Sequence, residues 1–189
     1  MKRILAFASV AMLLGVVAAY AGDAKTALGF HTTDAPIGIR TWLSPKVALD
    51  VGVGFTSSDA KTDAISGVPN SNTEDKISGF NVDAGVPYVF KSWDKVKFIG
   101  RPGVSFMSGS DEATAGTTTV KNKTSLFTVT AELEVEVNIA DNVSVSASHG
   151  IGYGSRTDTP PGTAPKTTTT AFDTFGNGWT MVGFHVYLW

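Results

Sequence analysis

Cysteine is absent from the 189 residues, which excludes disulfides, thiolate metal sites, cysteine nucleophiles and a lipid-modified N-terminal cysteine. Charge is sparse: 15 basic and 17 acidic side chains make up 17% of the chain and leave a net charge of -2. A nucleic-acid partner is not expected, because it calls for a clustered basic surface. Histidine is equally scarce, and His31, His149 and His185 fall in different segments with no spacing that suggests joint metal binding. No metal site or cofactor is expected from them. Beyond residue 21 no apolar run reaches the about 18 residues that a membrane-spanning helix requires.

The N-terminus has the order of an export signal. Lys2 and Arg3 precede the apolar stretch Ile4–Val17, and Ala19-Tyr20-Ala21 forms a small-x-small cleavage pattern before Gly22. The division expected is therefore a signal peptide at 1–21 and one domain at 22–189. Removing Lys2 and Arg3 leaves 13 basic against 17 acidic residues, a mature charge of -4.

Alternation with period two dominates the rest, and this is the pattern of strands with one apolar face. Phe127, Val129, Ala131, Leu133, Val135, Val137 and Ile139 alternate with Thr128, Thr130, Glu132, Glu134, Glu136 and Asn138. Helical spacing could not separate these two sets onto opposite faces. Val143–Tyr153 repeats the pattern after a turn at Ala140-Asp141-Asn142, with Ser144, Ser146, Ser148, Gly150 and Gly152 on the polar face. Upstream, Ile37–Leu43 joins Val47–Phe55 through Ser44-Pro45-Lys46, and Phe80–Phe90 joins Val96–Phe106 through Ser92-Trp93-Asp94. Pro87 and Pro102 interrupt that second pair, so bulges are expected there. A first strand at 26–32 and a last at about 179–189 complete eight.

Connection lengths separate the two ends of these strands. The turns at 44–46, 91–95 and 140–142 are short and share one end. The connections at about 57–76, 108–123 and 155–174 share the other and are long, polar and threonine-rich. Such one-sided loops are characteristic of outer-membrane barrels. Aromatics form two belts: Tyr88, Phe90, Trp93, Phe98, Tyr187 and Trp189 near the short turns, and Phe55, Phe80, Phe106, Phe127, Tyr153 and Trp179 near the long loops. The spacing of Phe98 and Phe106 corresponds to roughly 20 Å along the axis of a tilted strand, close to the ~25 Å apolar band of such barrels.

The signal segment, the eight alternating strands, the loop asymmetry and the strand at the C-terminus together resemble a small bacterial outer-membrane β-barrel of the OmpA transmembrane-domain or OmpX type. The stretch Trp42-Leu43-Ser44-Pro45-Lys46-Val47-Ala48-Leu49-Asp50-Val51-Gly52-Val53-Gly54-Phe55 is similar to a recurrent strand-turn-strand of that family. The resemblance implies an all-β, eight-stranded antiparallel up-and-down transmembrane barrel in the outer membrane of a Gram-negative bacterium. It also implies a final-strand assembly signal at Gly183, Val186, Leu188 and Trp189, with the aromatics Tyr187 and Trp189 one step out of phase. Implied partners are outer-membrane lipid, lipopolysaccharide, the assembly machinery and periplasmic chaperones, with the barrel as a monomer.

Function is expected to lie in structure or surface interaction, without catalysis. A narrow channel for small or apolar solutes is the alternative, and an outer-membrane lipid-modifying enzyme a lesser one. Some eight-stranded barrels are lipid A deacylases with a His-x-Ser order. Here Ser148 precedes His149, residue 151 is Ile, and adjacent strand residues point to opposite faces. A soluble lipocalin would need its apolar face inward, and its early Gly-x-Trp is not found in the first mature strand. The Glu132, Glu134 and Glu136 ladder admits general acid-base or calcium chemistry, but a polar barrel interior explains it without either. If the odd apolar residues of the strands at 37–43 and 47–55 face lipid, the three-residue turn at 44–46 places Arg40 across from Asp50, both inside. By the same parity Asp83 faces Arg101 or its diagonal neighbour, and Lys97 and Arg101 reach the glutamates. Three basic residues then meet five acidic ones, which predicts a largely plugged lumen with at most a small, cation-preferring conductance.

Overall fold

The computed structural model describes residues 25–30, 35–62, 73–173 and 180–188. The signal segment with its cleavage point, His31, Trp179 and Trp189 lie outside the described residues. All ten described elements are strands: β1 Thr26–Phe30, β2 Ile37–Trp42, β3 Ala48–Thr62, β4 Thr73–Gly85, β5 Tyr88–Trp93, β6 Val96–Ala115, β7 Thr118–Ala140, β8 Val143–Thr159, β9 Thr167–Asp173 and β10 Thr180–Tyr187.

These strands fill eight places in one antiparallel ring. β5 continues the place of β4, pairing with Val96–Gly100 of β6 while β4 pairs with Gly103–Ala115. β9 and β10 likewise share a place, because both pair with β8 over successive stretches. The ring closes where β10 pairs with β1, Leu28 opposite Val186 and Gly29 opposite His185. Closure leaves no free edge in this part of the sheet.

Local chemistry explains the interruption between β4 and β5. Pro87 has no N–H for the ladder, and its carbonyl instead accepts the Ala48 N–H at 2.9 Å. Pro102 does not produce the expected bulge: β6 runs through it in unbroken register with Ala131. Its missing N–H falls opposite Val86, where the neighbouring strand is already interrupted, and its carbonyl accepts the Val86 N–H. The irregularities fall instead at Val89/Lys91 and at Asn138/Ala140.

The long connections are another departure from the sequence reading. Residues 57–62 and 73–76, and most of 108–123 and 155–174, are strand, so the sheet continues beyond the upper girdle. Serine and threonine dominate these stretches, and β-branched threonine suits a pleated strand as well as a polar loop. The β6–β7 hairpin turns on two residues, with Gly116 at φ 59°.

Apolar side chains cover the outside of the ring. Leu133 is 68% exposed and Ile151 44%, whereas the intervening Glu132, Glu134 and Glu136 are buried inside. Phe55, Phe80, Phe106, Phe127 and Tyr153 are exposed toward the long-hairpin end, and Tyr88, Phe90 and Trp93 toward the short-turn end. Tyr187, expected in the latter belt, turns inward and packs against Trp42, Ala48, Val89 and Ile99. Its parity with buried Gly183 and His185 on β10 is the reason.

Candidate functional site

The interior near the short-turn end is filled by one connected set of ion pairs. Arg40 on β2 and Asp50 on β3 stand directly opposite in register. Arg40 donates from Nε and Nη2 to the two Asp50 oxygens at 2.8 and 2.9 Å. It also reaches across the lumen to β7, donating to both Glu134 oxygens at 2.7 and 2.8 Å and to Glu136 at 2.9 Å. These bonds use all five guanidinium N–H groups. Such bidentate, charge-assisted pairing stabilises an arginine inside a low-dielectric interior.

Arg101 on β6 extends the network toward the long-hairpin end. It donates to Asp50 at 2.9 Å, to Glu132 at 3.0 Å and to Asp83. Glu132 is its register partner, but Asp83 is not: Asp83 stands opposite Ser105. This corrects the expected facing or diagonal pair. The guanidinium reaches Asp83 by lying over Gly85, which has no side chain to obstruct it. Thr130 adds a hydroxyl to Glu132 at 3.2 Å.

Lys97 closes the network at the short-turn end. It stands opposite Glu136 in register and donates to it at 2.6 Å. Its ammonium lies 4.6 Å from the Trp42 ring centroid and 5.6 Å from that of Tyr187. Tyr187 donates its hydroxyl to Glu136 at 3.0 Å and accepts the Trp42 indole N–H at 3.2 Å. All eight charged residues singled out from the sequence, Arg40, Asp50, Asp83, Lys97, Arg101, Glu132, Glu134 and Glu136, therefore meet in a single set of contacts.

Two further interior groups were not foreseen: His185 and the Trp42–Tyr187 pair. His185 is 1% exposed, stands opposite Ser144 in register, and has Nδ1 4.0 Å from Glu136. The parity of Gly183, His185 and Tyr187 was the available signal. Of the residues assigned to assembly, Gly183 is buried in the ring, Val186 pairs with Leu28 of β1, and Leu188 is 40% exposed. Trp189 lies outside the described residues. Ser148 is buried and His149 exposed, so the two occupy opposite faces of β8. Among the described residues no group of three His, Cys, Asp or Glu side chains could hold a metal ion.

Beyond the aromatic ring at the long-hairpin end, the outer face becomes charged. Lys61 and Lys76 lie 3.1 and 2.7 Å from Glu74, and Lys121 lies 3.0 Å from Glu112. Hydrogen bonds from Lys76 and Lys61 hold the half-buried Glu74 carboxyl below the usual range.

The chain matches no family model and no curated protein sequence. Among solved structures it is similar to a major outer membrane protein from Thermus thermophilus, with 13% identity, a TM-score of 0.51, and coverage of 88% of this chain and 100% of that one. The fold is that of an outer-membrane β-barrel. A further match is Acinetobacter baumannii CarO, with 12% identity, a TM-score of 0.36, and coverage of 86% of this chain and 96% of that chain.

Proposed function

We propose that the protein is a monomeric integral outer-membrane barrel with a structural or surface-interaction role, exported under residues 1–21 and cleaved near Ala21–Gly22. The short turns face the periplasm and the protruding hairpins face outward. Outer-membrane lipid and lipopolysaccharide cover the apolar band. Periplasmic chaperones and the assembly machinery deliver the chain, with β10 as the strand they read.

The observation that carries this reading is Arg40, whose five donors tie β2, β3 and β7 together across the lumen. An eight-stranded barrel encloses a space that side chains fill, and here the filling is ionic above an apolar floor of Trp42, Ala48, Val89 and Ile99. Such a lumen favours display over transport. No catalytic role forms part of the reading, since Ser148 and His149 do not share a face.

A second reading, a small cation leak, is supported by the excess of five interior carboxylates over Arg40, Lys97 and Arg101. Membrane fractionation with a heat-dependent gel shift tests the location. Planar-bilayer recording of the purified barrel separates the two roles: silence or rare small events support display, and a steady cation-selective current supports the leak. Recovery of the folded protein wholly in the soluble fraction overturns both.

A further inference from the structure

The outer face of the barrel changes in ordered steps above its upper aromatic girdle. Phe55, Phe80, Phe106, Phe127, Tyr153 and Phe172, one on each of β3, β4, β6, β7, β8 and β9, are all exposed there. Two residues further up each strand, on the same face, stand Ser57, Ser78, Ser108, Ser125, Ser155 and Thr170. Each carries a hydroxyl. Ser57 and Ser78, Ser108 and Ser125, and Ser155 and Thr170 are register partners across neighbouring strands, so the hydroxyls form a belt directly above the rings.

Charge follows on the next steps and is divided between the two faces. Among the strand residues above the girdle, Lys61, Lys76, Lys121 and Lys123 all face outward, whereas Asp75, Asp111, Arg156 and Asp158 turn inward. Asp59, Glu74 and Glu112 share the outer face, so four lysines meet three carboxylates there. Glu74 takes Lys61 and Lys76, and Glu112 takes Lys121. Lys123 differs from the other three. It is exposed, its register partners are Ser110 and Thr159, and among the described residues it has no carboxylate partner. Ser125 lies two residues below it on the same face, and Ser108 stands opposite Ser125, so an unpaired ammonium borders a patch of three serines.

Height above the apolar band fixes what this patch meets. At ~3.3 Å per residue and a tilt of ~40°, two residues rise roughly 5 Å and four roughly 10 Å. The polar layer of a leaflet is about 5–7 Å deep. The hydroxyl belt therefore lies within the headgroups and Lys123, four residues beyond Phe127, lies at their outer margin, where a lysine stem bends down to reach them.

We propose that this outer face binds the phosphorylated sugar headgroup of an outer-leaflet glycolipid with the chemistry of lipid A. Lys123 holds a phosphate, as an ammonium pairs with a phosphate oxygen, and Ser108, Ser110 and Ser125 hydrogen-bond the sugar beneath it. The acyl chains of the same molecule run down over Phe106 and Phe127 into the apolar band, so the site is continuous with the lipid-covered surface. The inference rests on the outer-membrane reading and names the headgroup that its rim takes.

Native mass spectrometry of the full mature barrel, folded in detergent and titrated with diphosphoryl lipid A, tests the site. Binding should saturate, and Lys123→Gln should weaken it about tenfold, the effect of one lost charge-assisted hydrogen bond. Lys123→Arg should restore it. Lys121→Gln is the control, because Glu112 already holds that ammonium, and it should bind as the wild type does. Lipid A stripped of both phosphates and phosphatidylglycerol should each bind the wild type about tenfold more weakly, and inorganic phosphate should not displace diphosphoryl lipid A. Normal binding by Lys123→Gln, an equal loss in Lys121→Gln, equal affinity for phosphatidylglycerol, or displacement by inorganic phosphate would each overturn the assignment. If Lys123→Gln does not give the heat-dependent gel shift of a folded barrel, the comparison of lipids on the wild type decides alone. Any of these failures in a barrel that fractionates with the outer membrane leaves the location standing, whereas recovery in the soluble fraction overturns the reading beneath.

Discussion

Arg101 lies directly over Gly85: a Cβ placed on Gly85 would stand 2.6 Å from the guanidinium carbon. The two residues are on neighbouring places of the ring, and the missing side chain is what lets Arg101 span from Glu132 to Asp83. An arginine tip can usually swing away from a new methyl group. This one is held by Asp50, Asp83 and Glu132, so moving it breaks charge-assisted bonds. Gly85→Ala is expected to cost about 1–3 kcal/mol of stability, measured by urea unfolding in lipid vesicles. Gly100→Ala is the control, because nothing lies within 4 Å of its added Cβ. Equal midpoints for the two variants would show that Gly85 is not required for room.

Removing either arginine tests the interior more severely. Arg40→Ala takes from buried Glu134 its ion-pair partner and leaves Asp50 to Arg101 and Glu136 to Lys97, and breaking such a pairing from one side costs about 3–5 kcal/mol. Part of that cost can be relieved by water entering the lumen, which would appear as a cation current. Arg101→Ala should act in the same direction through Asp83 and Glu132. A barrel unchanged in both stability and conductance after either substitution would remove the network from any account of lumen closure.

The lipid face is open to a simple charge-insertion test along β7. Leu133 points outward at 68% exposure, well between the two aromatic girdles. Leu133→Arg should therefore cost about 2–4 kcal/mol in a bilayer. Ser125→Arg, on the same face but beyond the girdle, should stay within about 0.5 kcal/mol. Similar costs at both positions would mean that the apolar band does not end at Phe127.

The seam between β1 and β10 should decide whether the chain assembles. Deleting Gly183–Trp189 removes most of the strand that pairs with both β1 and β8, and the exported chain should be degraded unfolded. Gly29→Ala is the minimal version, since its Cβ would run into the Phe184 carbonyl across the seam. Leu188→Asp should be worse tolerated than Trp189→Ala if Leu188 faces lipid. Quantifying heat-shiftable protein in membrane fractions reads all three, and normal levels of the deletion variant would take β10 out of the assembly role.

The sequence by itself determined the barrel and, on the strands that alternate plainly, which face turns inward. Alternation has no freedom once one side must be apolar: a one-residue slip would carry Glu132, Glu134 and Glu136 to the outside together. The Arg40–Asp50 and Lys97–Glu136 pairs were legible for the same reason, since they are register partners across turns or adjacent strands. Parity was equally available for His185 and Tyr187, but β10 carries glycine, phenylalanine and histidine where other strands alternate plainly, and the signal was weak. Threonine-rich stretches read as loops because threonine serves loop and strand alike. Only the tertiary structure decided that they extend the sheet, that Arg101 crosses Gly85 to reach Asp83, and that Arg40 meets Glu134 and Glu136. The last contact joins residues 94 and 96 positions apart, and it follows from ring closure and strand tilt, which place β2 and β7 across the lumen from each other, a relation that no local pattern encodes.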